Sequence, residues 1–375
     1  MNPTTPHYII DTSCISPLAL GANENFKALL EGRSAIQEIE DRSFYPEPIL
    51  AGVFDPEVMT QFRQRFQTDT RFDALLLACL DDMLQKRRVD YASTDTLLIL
   101  STTKGNIELF AENPADERAY LHYSANLLQH YAKNPNPVLI VSNACISGIS
   151  ACIVAKRYLD AGLYKHVLVI GCDVVTPFVL SGFSAFHAVS KKACKPFDLE
   201  RDGVVLGEAC GAILLSAEIP SEIRLLGGRI SNDANHISGP SKTGEELAFC
   251  IRTTLKYAQV HESEIDFISA HGTATPYNDE MESKAIALAT LHEAPVFSLK
   301  ANFGHTLGAA GIIESIMSIE GLQRGIILPS LGFEKMGVSG DIKVNPYPFE
   351  KNMKYAVKTG SGFGGCNAAL LLQKI

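Results

Sequence analysis

Short unbroken apolar runs alternate along the chain with longer stretches in which apolar positions recur every three or four residues. The runs at 7–10, 94–100, 138–141, 164–175, 223–230, 265–270, 296–299 and 368–372 read as strands, several too apolar to leave a face in water. The segments 25–31, 62–88, 115–132, 244–258, 279–289 and 309–322 carry helical spacing, which in 62–88 is Phe72, Leu75, Leu76, Leu80 and Met83. Gly32 ends the first helix. Residues 138–175 form a strand-helix-strand unit long enough for a right-handed crossover between parallel strands. This order predicts an α/β protein. A turn-rich loop from 195 passes into a buried strand ending near 216, and Ala217-Glu218-Ile219-Pro220 reads as a junction. The second half repeats the style of the first, so the pattern predicts two similar halves, 1–217 and 218–375, duplicated in architecture without a residue-level repeat.

The period changes most sharply inside VLIVSNACISGISACIVAKR, residues 138–157. Val138 to Val141 follow the turn-forming Pro135-Asn136-Pro137 as a strand, and Ile146, Ile149, Ile153 and Val154 then recur at helical spacing. Cys145 stands where strand becomes helix. A thiol there faces the positive end of the helix dipole, which predicts a pKa below the free value of about 8.5 and a nucleophilic thiolate. Two plainer readings compete: a buried cysteine that only fills core, and a charge-free run, 138–155, that spans a membrane. Asn143, the serines and Gly148 interrupt that run and argue against the span.

With 375 residues, 46% hydrophobic and 20% charged, the chain buries a large core and is enzyme-sized. Its net charge of −9 argues against nucleic acid or an anionic membrane as main partner. Nine scattered cysteines, without Cys-x-x-Cys pairs or histidine at zinc spacing, predict free thiols in a reducing compartment and no metal site. No basic-then-apolar leader precedes Tyr8, and the expected location is the cytoplasm.

Further chemistry gathers just after strands, where α/β sheets bind ligands. His271 follows 265–270, Lys300 and then His305 follow 296–299, and the glycine-rich segment 360–367 precedes the last strand. Among ten histidines neither would persuade alone, since a lone histidine is more often a structural hydrogen-bonder; their shared placement beside glycine turns changes the balance. Gly362, Gly364 and Gly365 permit positive φ and an oxyanion hole of main-chain N–H groups around Phe363, against the plainer reading of a tight hairpin. A thiol with two neutral imidazoles and no obligatory carboxylate suits acyl transfer to sulfur followed by enolate stabilisation.

These residues lie in ordered motifs: Leu29-Leu30-Glu31-Gly32-Arg33-Ser34, NACISG, KPFDLERDGVVLGEACGA, HGTATPYND, LKANFGHTLGAAGIIE and GSGFGGCNAAL. Together they resemble the elongating β-ketoacyl-[acyl-carrier-protein] synthases, condensing enzymes of the thiolase superfamily, over nearly the whole chain. The resemblance implies a thiolase-like fold, two similar halves in a five-layer α-β-α-β-α arrangement, usually homodimeric. It implies Cys145 as the acylated nucleophile, His271 and His305 as the pair promoting malonyl decarboxylation, and Lys300 with Glu314 as a supporting charged pair. Thr273 and Thr275 would contact a phosphopantetheine arm, and Phe363 would be the gate whose N–H joins that of Cys145 in the oxyanion hole. No tightly bound cofactor is implied, because the acyl carrier protein brings the phosphopantetheine.

The chain departs from the family pattern with Asp11-Thr12-Ser13 at the first strand end, Phe26 for a tryptophan, Cys366 for a threonine and Ala209-Cys210 for a Gly-Ala-like pair. It is also short around 110–135 and 188–196. The rival readings are a thiolase using Cys366 as a second cysteine, a chain-length-determining partner in a heterodimer, an initiating synthase, which would have asparagine for His305, and a papain-like hydrolase. For an acidic carrier the expected dock is Arg63, Arg65 and Arg71, with Lys86-Arg87-Arg88 as the alternative.

Overall fold

The computed structural model describes residues 7–375 except Ser43 and Ser238. The reading of a leader before Tyr8 falls, apart from His7, outside the described residues.

The apolar runs become sheet interiors. Thr96–Ser101 and Ala209–Ser216 are buried along their whole length, as strands covered on both faces must be. In the first half the strand order is His7–Ile15, Ala209–Ser216, His166–Asp173, Thr96–Ser101, Leu139–Val141, paired antiparallel twice and then parallel twice. In the second it is Ile223–Asn232, Cys366–Lys374, Tyr355–Gly362, Phe267–Ser269, Pro295–Phe297, with the same sequence of pairings, extended by Lys343–Val344. The two sets meet where His7 pairs with Leu225 and Tyr8 with Arg224.

Helices complete five layers. Arg71–Lys86 and Leu121–Ala132 cover the outer face of the first half, packing Phe72, Leu75, Leu80 and Leu128 on Leu98, Leu100 and Ile170. Glu245–Ala258 and Pro276–Leu288 cover the second through Leu247, Ile251 and Ile286 on Ile268, Val296 and Leu371. Between the sheets lie Ser147–Asp160 and Ala310–Arg324, whose Ile149, Ile153, Ile312 and Ile316 share one core with Val167 and Val169 of one sheet and Ala356 and Leu370 of the other. From Ala310 to Ile319 this helix is accordingly buried on every face, as a helix in a central layer must be.

These two central helices cross through glycine. A methyl group on Gly311 would lie 2.7 Å from the Ile149 nitrogen, and one on Gly148 would lie 2.8 Å from the Ile312 nitrogen. Both backbones therefore approach more closely than any side chain permits. The crossing brings the first turn after Cys145 against the segment following His305.

Several elements differ from the sequence reading. The helix expected over 62–88 is two helices, Pro56–Phe66 and Arg71–Lys86: Gln67 turns left-handed at φ 52°, and the Thr70 hydroxyl caps the second by accepting from the Asp73 nitrogen at 3.2 Å. The helix expected over 115–132 begins as a 3₁₀ turn, Glu117–Ala119, before Leu121–Ala132. The strand Tyr355–Gly362 and the helix Pro177–Ala185 were not read at all; glycines dilute the first, and the second, PFVLSGFSA, is apolar with little helical period. Among the described residues no helix is long and apolar enough to cross a membrane.

Candidate active site

Strand Leu139–Val141 stops at an elbow that the backbone must strain to make. Ala144 takes φ 44°, and Ser147 Oγ ties the turn by donating to the Ala144 carbonyl at 2.6 Å and accepting from the Asn143 nitrogen at 2.7 Å. Helix Ser147–Asp160 begins two residues after Cys145, which projects into a cavity of about 420 Å³. His271, His305, Thr273, Thr275 and Phe363 line the same cavity.

The thiol differs from expectation. Cys145 is buried, and desolvation pushes its pKa up to about 12 instead of below the free value. Lys300 and an N–H from Phe363 act in the opposite direction without overcoming burial. The resting group is a neutral thiol.

His271 follows strand Phe267–Ser269, where Glu282 accepts from its backbone nitrogen at 2.8 Å and from that of Gly272 at 2.7 Å. His305 is fixed by its neighbours' backbone: its nitrogen donates to the Val205 carbonyl at 2.7 Å, and its carbonyl accepts from Gly207 at 3.0 Å. The two rings stand edge to face with centroids 5.1 Å apart. Both are buried, and both are held well below the usual histidine pKa, first by desolvation and then by Lys300, with Lys358 adding to it. They are neutral imidazoles, and His305 Nδ1 has no hydrogen-bond partner among the described residues.

Behind them lies a buried ionic cluster that does not line the cavity. Lys300 pairs with Glu314, as the resemblance implies, but Glu314 also holds Lys358 at 2.6 Å. Lys358, which sequence reasoning missed, donates as well to the carbonyls of Ser269 and Ala270 at 3.0 and 3.1 Å. Its signal was a lone cation in the otherwise uncharged run 355–372. Glu282, Asp173 and Glu208 were missed too. Asp173 accepts from Thr102, Thr103 and Gly308, tying the loop after His305 to the first half. Buried acids of this kind carry no local motif, because their partners are distant in sequence.

At the glycine-rich turn, Gly364 and Gly365 take φ 84° and 76° as expected, whereas Gly362 does not. Glycine there serves close approach: a methyl would fall 3.0 Å from the Cys145 nitrogen. The turn aims the Phe363 N–H at the Cys145 sulfur and sets its ring against Phe183 and Phe186, centroids 5.2 and 5.3 Å away. Thr273 and Thr275 face each other across 2.9 Å between hydroxyls. Cys366 is absent from the cavity lining; its thiol reaches the carbonyl of Phe363 at 3.5 Å.

Residues 8–218 match the β-ketoacyl synthase N-terminal domain, and residues 223–334 match the β-ketoacyl synthase C-terminal domain. The chain belongs to the β-ketoacyl synthase family. Cys145 lies in the first match and His271, Lys300, His305 and Glu314 in the second, while Lys358 and Phe363 lie beyond both. The 3-oxoacyl-[acyl-carrier-protein] synthase 2 of Vibrio harveyi is 31% identical over 258 residues, 64% of this chain and 62% of that protein. The chain thus spans about three fifths of the length of the first curated relatives it matches. Its namesake from Mycobacterium leprae is 28% identical over 397 residues, covering 94% of this chain and 93% of that one. A chain of the ketosynthase from Xenorhabdus doucetiae in complex with its chain length factor superposes with a TM-score of 0.87 at 24% identity, covering 100% of this chain and 99% of that one. The fold is thiolase-like.

Two of the three arginines expected to dock a carrier remain on the surface. Arg63 is exposed, and Arg65 is exposed while pairing with Asp81 at 2.6 Å. Arg71 differs: it is half-buried and held by the fully buried Glu208 and by the Val175 carbonyl, so its guanidinium is engaged within the fold. In the alternative patch, Lys86 and Arg88 both engage Asp11. Among the described residues no group of three or more His, Cys, Asp or Glu side chains is arranged to hold a metal.

Proposed function

We propose that this β-ketoacyl synthase condenses an acyl group held on Cys145 with a malonyl group on an acyl carrier protein, giving a β-ketoacyl carrier thioester and carbon dioxide. The observation that carries the reading is one cavity lined by a thiol, two neutral imidazoles and a backbone N–H aimed at the sulfur. Cys145 attacks the acyl thioester, the Phe363 and Cys145 N–H groups receive the oxyanion, and the thiol proton leaves with the pantetheine sulfur. The malonyl thioester then loses carbon dioxide while His271 and His305 donate to its carbonyl oxygen, where charge develops. Neutral imidazoles suit that task, since each retains an N–H to donate at neutral pH. The resulting carbon nucleophile attacks the Cys145 thioester, and the freed thiolate takes up a proton.

Thr273 and Thr275 are the proposed contacts for the phosphopantetheine arm, and Lys300 with Glu314 the support behind the histidines. The steps ask for no tightly bound cofactor. A cytoplasmic homodimer is the proposed state, with halves 1–217 and 218–375 contributing the nucleophile and the histidines respectively. A heterodimer with a related ketosynthase subunit is the second reading, favoured by likeness to a chain from the Xenorhabdus complex. Cys145 in the cavity speaks against a passive chain-length partner, and Cys366 outside its lining speaks against a thiolase-type acyltransferase.

The test is intact mass after incubation with an acyl carrier thioester. The acyl mass should appear on Cys145 and be missing in Cys145→Ala; acyl chains on Cys366 or Cys172 would sink the assignment.

A further inference from the structure

The geometry points to Lys358 as a second cation of the decarboxylation site, a positioning residue that acts through the two histidines. The inference rests on the condensing reading above. Lys300 and Lys358 share the single carboxylate of Glu314, and all three are buried. Around Lys358, Pro276–Leu288 contributes Glu282, Ala310–Arg324 contributes Glu314, Lys300–Phe303 contributes Lys300, and the strand end at Ser269 leads to His271. Glu282 is turned to other work, its two oxygens accepting from the His271 and Gly272 nitrogens and from the Thr359 hydroxyl. Both lysines act on both imidazoles, and within the triad their two charges face the one carboxylate of Glu314. On the histidine side the cluster therefore presents an excess of positive charge.

That excess has two effects on the proposed chemistry. It opposes protonation of His271 and His305, and it lowers the energy of a thioester oxygen gaining negative charge where their N–H groups point. Lys358 also ties together the three pieces that carry the site. It stands on the strand leading to Phe363, its ammonium binds the carbonyls of Ser269 and Ala270 beside His271, and it grips Glu314 on the helix after His305. A purely mechanical tie would hold the site without acting on the charge of the rings.

Lys358→Met keeps the stem and removes the charge. Carbon dioxide release from malonyl carrier protein should fall about tenfold or more at pH 7, and the acid limb of its pH profile should move up by roughly one unit as the histidines become easier to protonate. Acylation of Cys145, measured by mass, should change by less than about threefold, since the bonds of Lys358 run to Ser269, Ala270 and Glu314 and not to that thiol. Parallel loss of acylation and decarboxylation with an unmoved acid limb would reduce Lys358 to a structural tie and overturn the inference, as would full activity.

Should the variant not fold, the unaltered protein decides. With ¹⁵N-labelled lysine, the Lys358 side-chain nitrogen, assigned through its contacts with Ser269 and Ala270, should be an ammonium at pH 7, and a neutral amine there would remove the second cation. Absence of both acyl uptake and carbon dioxide release in the unaltered protein would instead strike the condensing reading itself.

Discussion

At the scale of single residues, Cys145 sets two effects of opposite sign against each other. A helix end favours thiolate by an amount comparable to one surface interaction, whereas full desolvation of a charge costs several kcal/mol, so burial wins and the thiol rests protonated. Iodoacetamide labelling of Cys145 in the free protein should accordingly be slow at neutral pH and keep accelerating through pH 10. A plateau reached below pH 8 would mean that the helix end prevails. The histidines yield a second expectation. Their folded pKa values are depressed below the unfolded value near 6.5, so the unfolded chain binds more protons below that pH and stability is lost as the pH falls through it. Denaturant midpoints should drop between pH 7.5 and 5, and His271→Asn with His305→Asn should flatten that slope; equal slopes would show that the rings titrate normally. The shared placement of Cys145, His271, His305 and Phe363 was legible in sequence because Cys145 and His271 follow apolar runs read as strands, His305 lies a few residues beyond another, and Phe363 sits in a glycine-rich turn before the last. Lys358, Glu282 and Asp173 were not, because their significance lies in partners that only the fold brings near.

At the scale of elements, the strongest periodic segments were read correctly in type and poorly in extent. Thr68-Asp69-Thr70 interrupts 62–88 with capping chemistry that hydrophobic spacing does not register, and Tyr355–Gly362 was hidden by the glycines its end requires. The crossing of the central helices offers a sharper test of what glycine does here. Gly311→Ala forces a methyl into the Ile149 backbone and should cost about 1–3 kcal/mol, with condensation reduced further as the Cys145 elbow is displaced. Gly182→Ala, in helix Pro177–Ala185 with open space around it, should be neutral or stabilising by up to ~1 kcal/mol. Thermal denaturation compares the two; equal melting temperatures would mean the crossing is looser than described.

For the molecule as a whole, a net charge of −9 repels an acidic carrier, so the proposed docking relies on a local basic surface. Arg63→Glu with Arg65→Glu should raise KM for carrier-bound malonyl and weaken its salt dependence, leaving a small malonyl thioester unaffected. Equal loss on both substrates would place the dock elsewhere. Arg71→Glu belongs to a different experiment: it strands the buried Glu208 carboxylate and should destabilise the fold by about 3–5 kcal/mol, seen in the denaturant midpoint. The overall plan of two like halves was legible from the alternation of runs and helices, but the identity of their pairing order was not, since register and strand order are set by long-range contacts. That shared order has a consequence of its own. Leu139–Val141 and Pro295–Phe297 each close the same run of four pairings, and each leads into one of the two central helices. The thiol loop and the loop bearing Lys300 and His305 are thus counterparts in the shared strand order of the two halves. One loop position carries the thiol in one half and the Lys300 and His305 segment in the other. Joining the halves in a single chain is what allows the two to differ: an assembly of identical halves would have to build both from one sequence.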